Sequence, residues 1–96
     1  MQYLIEAAGD ETVITLVNNS AALLSFRSEF GGYSTIRLLS DCHGSAEDAR
    51  KLVRIALSLS PQGLRFCSAV VRGIWPLVLR EEGFSADGLS YTWPPT

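Results

Sequence analysis

The sequence predicts an α+β domain on a mixed sheet, with elements in the order β-β-β-β-α-β-α-β. Three observations predict it. The first 40 residues are rich in β-branched and alternating apolar positions, broken by turn residues. One strongly amphipathic helix follows, with a readable start and stop. Beyond it come an apolar strand, a short helix and an alternating strand in turn. At 96 residues and 47% hydrophobic content, the chain fits one domain, residues 1–96, with a modest core.

Residues 2–7 (Gln-Tyr-Leu-Ile-Glu-Ala) read as a strand, and Ala8-Gly9-Asp10 as a turn. Thr12, Val13, Ile14, Thr15 and Val17 favour a second strand over 11–17, making a hairpin. Asn18-Asn19-Ser20 break the run. Over 21–28, Ala22, Leu24 and Phe26 alternate with Leu23, Ser25 and Arg27, which predicts a third strand; a helix capped by Asn19 or Ser20 is the competing reading. Gly31-Gly32 punctuates the chain before a fourth strand over 34–40. With no Lys after it, that glycine pair is not read as a phosphate loop.

Ser45 is a good N-cap, and Asp48 completes an acidic variant of the capping box. Ala49, Leu52, Val53, Ala56 and Leu57 then recur at helical spacing, with Glu47 four residues before Lys51, until Pro61 and Gly63. Residues 64–70 are apolar on nearly both faces, as in a covered parallel strand. Pro76 suits the first turn of a short helix over Trp75–Glu82, and Gly83 its C-terminal stop. Leu89, Tyr91 and Trp93 alternate with Ser90 and Thr92 in a last strand over 88–93, ended by Pro94-Pro95.

Ten acidic against eight basic residues, a net charge of −2, leave no basic footprint for nucleic acid. Seven of the basic residues are Arg, spread along the chain rather than clustered. No apolar run is long enough to span a bilayer, and no secretory leader is visible, so the expectation is a cytoplasmic protein. Cys42 and Cys67 form no C-x-x-C pair and read as reduced thiols. With His43 they supply too few soft ligands for a structural zinc, so no metal is expected.

The strand Ile36-Arg37-Leu38-Leu39, the helix from Ser45 to Ser60, the strand Leu64–Val70 and the segment Leu79-Arg80-Glu81-Glu82-Gly83-Phe84 together resemble the C-terminal two-thirds of the GNAT family of N-acetyltransferases. Residues 1–33 would extend the likeness as the antiparallel strands that precede. The two N-terminal helices on the substrate side of full-length members have no counterpart, so the resemblance implies a truncated GNAT-like fold. It also implies where acetyl-CoA would sit: Leu39 at the strand end, and Gly44, Ser45 and Ala46 in a loop matching the second half of the family's Gln/Arg-x-x-Gly-x-Gly/Ala pattern. Such a loop holds a pyrophosphate on aligned amides and a helix N-terminus.

Two departures matter. Asp41 stands where Gln or Arg belongs, and Glu47 and Asp48 add negative charge in the same turn, which repels a pyrophosphate. Leu79 occupies the position, four before Gly83, of the Tyr that serves many members as general acid, and leucine has no proton to give. No catalytic residue can be assigned.

A thiol–imidazole pair would need His43 to meet Cys67 across neighbouring strands, since adjacent residues Cys42 and His43 point apart in extended chain. Trp75, Tyr91 and Trp93, with Phe84, form either a core cluster or an aromatic interface. The expectation is a small GNAT-like protein without acetyltransferase activity or cofactor. It would act by binding another protein, for instance as an inhibitor of the kind phages direct at host machinery. Its edge strand near Met1–Ala7 offers pairing with a partner or with itself as a homodimer. The alternatives are an acetyl-CoA-dependent N-acetyltransferase with a minimal acceptor site, and a structural dimerisation module.

Overall fold

Alternation in the N-terminal segment resolves into an antiparallel meander. The computed structural model describes residues 2–29 and 32–95. In it β1 (Tyr3–Ala8), β2 (Glu11–Leu16), β3 (Asn19–Arg27) and β4 (Ser34–Leu39) pair in sequence order. Gly31, half of the glycine punctuator, and Met1 lie outside the described residues. The β1–β2 turn puts Gly9 at φ +66°, the first central position at which a type II′ hairpin needs positive φ. The third element is strand, not helix, and runs over Asn19–Arg27 instead of 21–28: Ala22, Leu24 and Phe26 are buried with Ile14 and Leu16 of β2 on one sheet face.

That face receives α1 (Ala46–Leu59), whose Ala49, Leu52, Val53, Ile55 and Ala56 are buried. Ser45 caps it as the sequence indicates, its Oγ accepting from the Asp48 amide at 3.2 Å. At the other end Ser60 Oγ donates to Ser34 Oγ (2.9 Å), fastening the helix exit to the start of β4. Gly63 has φ +115°, and a Cβ there would collide with the Trp93 carbonyl oxygen, Pro94 and Tyr33.

β5 (Leu64–Cys67) lies parallel to β4, and β7 (Ser90–Trp93) lies antiparallel between β5 and the two-residue β6 (Ser85–Ala86). The result is an α+β domain with a seven-stranded mixed sheet, ordered β1-β2-β3-β4-β5-β7-β6, and two helices. The second helix, α2 (Trp75–Glu81), buries Trp75, Val78 and Leu79. It lies beside α1, to which Arg50–Glu81 and Arg54–Glu82 (2.8 Å) ion pairs join it. Phe66 anchors this half, with Trp75 at 6.1 Å and Phe84 edge-on at 5.4 Å between ring centroids.

Besides the short β6, which the predicted order β-β-β-β-α-β-α-β lacks, three expectations need correction. The strand predicted over 64–70 stops at Cys67, and Ser68–Val70 form a 3-10 turn. The Ser68 amide donates to Leu89 O (2.9 Å), just where β7 ends, so no strand is left to pair with the residues beyond. Nor is β5 covered on both faces: Leu64 and Phe66 are buried beneath the helices, whereas Arg65 and Cys67 are exposed on the opposite face. Finally, the strand predicted from residue 88 begins at Ser90. Leu89 sits in the β6–β7 turn, 82% exposed.

Candidate functional site

β4 and β5 pair at only two positions, Ser34–Leu64 and Thr35–Arg65, and then part. β4 stays with β3, where the Ser40 amide donates to Leu23 O (3.0 Å) and Ser40 Oγ accepts from the Leu23 amide (2.8 Å). β5 continues along β7 instead. The wedge between them is a cleft of about 300 Å³, lined by Leu39, Ser40, Asp41, Val70, Arg72, Gly73 and Trp75. That volume is at the lower end of small-molecule sites. Trp75 is only 2% exposed, and its indole Nε1 donates to Ser40 O at 2.7 Å. The indole thus ties α2 to β4 across the opening and takes a carbonyl that an inserted extended ligand would need.

The loop between β4 and α1 is wound on itself. Cys42, His43 and Gly44 have φ of +53°, +51° and +74°, three left-handed residues in succession, two of them not glycine. The Asp41 carboxylate accepts from the His43 amide (3.0 Å), the Gly44 amide donates to Asp41 O (2.8 Å) and the Ser45 amide to Cys42 O (3.0 Å). Amides that would receive a pyrophosphate are therefore already occupied at Gly44 and Ser45. Asn19, read from sequence as a strand breaker or a helix cap, is the first residue of β3 and clamps the loop from there: its Nδ2 donates to Cys42 O (3.2 Å) and to Asp48 Oδ2 (2.8 Å). Nothing local marks that role, because its two acceptors lie 23 and 29 residues away.

Of the three carboxylates around this turn, Glu47 and Asp48 share Lys51, at 3.4 and 3.8 Å, which offsets part of their charge. Asp41 is exposed at the rim of the cleft, with Arg72 among the other lining residues. Leu39 lines the cleft and is half-buried. Gly44 is exposed, and Ser45 and Ala46 are half-buried at the α1 start.

Leu79 is fully buried among the core side chains, so no proton donor stands at that position. Burial pushes the Cys42 thiol above its ordinary pKa, with the Asp48 and Asp41 charges adding to the shift against a lowering Ser40 hydrogen bond. The thiol therefore stays protonated at neutral pH and is a poor nucleophile. Cys67 is exposed on the sheet face away from the helices, and no hydrogen bond joins it to His43 among the described residues. No cluster of three or more His, Cys, Asp or Glu among the described residues could hold a metal.

The three aromatic candidates separate. Trp75 belongs to the core: it is buried, with its indole N–H bonded to Ser40 O, and leaves almost no surface for a partner. Tyr91 and Trp93 are half-buried, packed against that same core.

A surface that nothing covers lies at the other end of the sheet. All six residues of β1 are exposed, including Tyr3 (44%), Leu4 (55%) and Ile5 (45%). β1 is hydrogen-bonded on one side only, to β2, and α1 packs over β2 and β3. Its other edge presents free N–H and C=O groups beside apolar side chains.

No protein-family model matches the chain, and neither a curated protein nor a solved structure matches it. No helix is long and apolar enough to cross a membrane among the described residues.

Proposed function

We propose that this protein is a GNAT-like domain that does not transfer acetyl groups and works by binding a protein partner along the β1 edge. One observation carries the reading: a six-residue strand, exposed throughout, with an unpaired edge and three large apolar side chains in the open. Strand addition supplies backbone hydrogen bonds to any extended partner, while side-chain contacts select among partners. The β-β-β-β-α-β-α course, closed by the short β6 and β7, and the parting of β4 from β5 support the GNAT-like part of the proposal. The self-bonded loop, the carboxylates at the α1 start and the buried Leu79 support the loss of transfer chemistry.

Two measurements test it. Calorimetry against acetyl-CoA is expected to be flat at millimolar ligand; micromolar binding lost on Gly44→Pro would overturn the reading in favour of an acetyl-CoA-dependent enzyme. Tagged wild type and Ile5→Pro are then compared in pull-downs from the native host. Proline at this position removes an amide that faces solvent and leaves the β1–β2 ladder whole, so the variant folds but cannot accept a strand. Partners retained equally by both proteins would show that β1 is not the docking edge.

A further inference from the structure

The phase of the β1–β2 ladder decides which backbone groups of β1 are free. The Val17 amide donates to Gln2 O (3.1 Å), and the strands pair Leu4–Thr15, Glu6–Val13 and Ala8–Glu11 in the same phase. In an antiparallel ladder bonded and non-bonded pairs alternate, so these residues turn their backbone groups inward. Tyr3, Ile5 and Ala7 turn theirs to solvent. The free edge therefore presents three N–H and three C=O groups, spaced symmetrically about Ile5.

We infer that the occupant of this edge is a second copy of the chain, paired β1 to β1 antiparallel about a two-fold axis at Ile5. This rests on the reading of β1 as the docking edge and names its partner. In this register Tyr3 bonds Ala7 of the second copy, Ile5 bonds Ile5, and Ala7 bonds Tyr3, which uses all six free groups. On the face shared with Ile14 and Leu16, the two Ile5 side chains meet, flanked by Tyr3 beside Ala7.

The charge pattern selects the same register. Glu6 is the one charged residue of β1, and here it falls opposite Leu4, with the two carboxylates offset rather than opposed. Sliding the strands one step toward the hairpin turn sets Glu6 against Glu6, which is destabilising. Sliding the other way leaves only the Tyr3–Ile5 pairs bonded among residues 3–8. The neighbouring acids do not interfere, because Asp10 is paired with Arg27 (3.0 Å) and Glu11 with Arg37 (3.4 Å). The two β1 strands join the two seven-stranded sheets into one.

Sedimentation equilibrium from about 1 μM to about 1 mM protein covers the affinities such a contact reaches. Wild type is expected to dimerise with rising concentration. Ile5→Lys and Ile5→Glu, each placing like charges on the axis, weaken association by roughly tenfold or more. An equimolar mixture of the two variants dimerises again, which a contact elsewhere on the molecule does not explain. Circular dichroism confirms that both variants are folded. Amide hydrogen exchange supplies an independent readout: Tyr3, Ile5 and Ala7 gain protection as concentration rises, whereas Leu4, Glu6 and Ala8 are protected throughout.

A wild type that stays monomeric to 1 mM, or a dimer in which Tyr3, Ile5 and Ala7 exchange freely, overturns the self-pairing. Neither result removes β1 as an edge for another protein, which the comparison of wild type with Ile5→Pro decides separately.

Discussion

The sheet has two edges, and the chain treats them differently. β6, at one edge, is only two residues long, Ser85 and Ala86, and offers little backbone to a stranger. Phe84, immediately before it, is buried edge-on against Phe66, and Ser85 Oγ lies 3.3 Å from Thr92 Oγ1 on β7. β1, at the other edge, has six exposed residues and no helix across it. A short, anchored edge beside a long, bare one teaches that the exposure of β1 is not a general weakness of a small sheet. The same chain protects one edge and leaves the other free.

Side-chain truncation tests this contrast most strongly. Phe84→Ala is expected to cost about 3 to 5 kcal/mol, because it empties a packed site beneath β6. Ile5→Ala, at a side chain 45% exposed, is expected to cost less than about 1 kcal/mol. Urea melts of the two variants give both numbers, and comparable losses would erase the distinction between the edges. Proline separates them next. Tyr91→Pro places proline in β7 between Phe66 of β5 and Ala86 of β6, and about 3 kcal/mol is expected to be lost. Ile5→Pro should stay within about 1 kcal/mol of wild type, its amide facing solvent. A smaller effect belongs to the layer that shields the middle of the sheet but stops short of β1. Ser45→Ala removes the cap on the Asp48 amide and should lower stability by about 1 kcal/mol. A thermal melt unchanged from wild type would mean that the cap adds nothing.

How much of this was legible in the sequence depends on the range over which the deciding contact acts. α1 was readable because its cap, Ser45, and its buried positions are set by spacing within the helix itself. The first four strands were readable for the same kind of reason, by alternation and turn residues. The end of β5 was not, because Ser68 leaves the sheet only where β7 gives out, more than twenty residues further on. The same holds for Trp75, an aromatic open to a core or an interface reading, whose buried indole N–H is satisfied by the Ser40 carbonyl, 35 residues away in sequence. The left-handed run Cys42–Gly44 carried only one glycine as a signal, and its clamp, Asn19, is distant in sequence. Leu39, Gly44, Ser45 and Ala46 lie along the β4–α1 junction, a placement that follows from the strand and the helix on either side. What their amides already hold could not be read from residue types.

The gentlest probe of the two edges is acid. Asp87 opens the β6–β7 turn, and one carboxylate oxygen accepts from the Leu89 and Ser90 amides, both at 2.9 Å. These bonds, first from Leu89 and then from Ser90, hold its carboxyl below the ordinary aspartate pKa. A lowered folded pKa means that the carboxylate favours the folded turn at any pH above the ordinary aspartate value. That contribution is lost as pH falls through the lowered value, when protonation removes the charged acceptor. The Leu89 and Ser90 amides should therefore lose exchange protection as the solution is acidified, and Asp87→Asn, which cannot ionise, should flatten that dependence. The readout is local to the β6 edge and small, because the group is exposed. If Asp87→Asn follows the same pH profile as wild type at those two amides, the carboxylate is not what closes this turn, and the short edge owes its order to Phe84 and the β7 ladder alone.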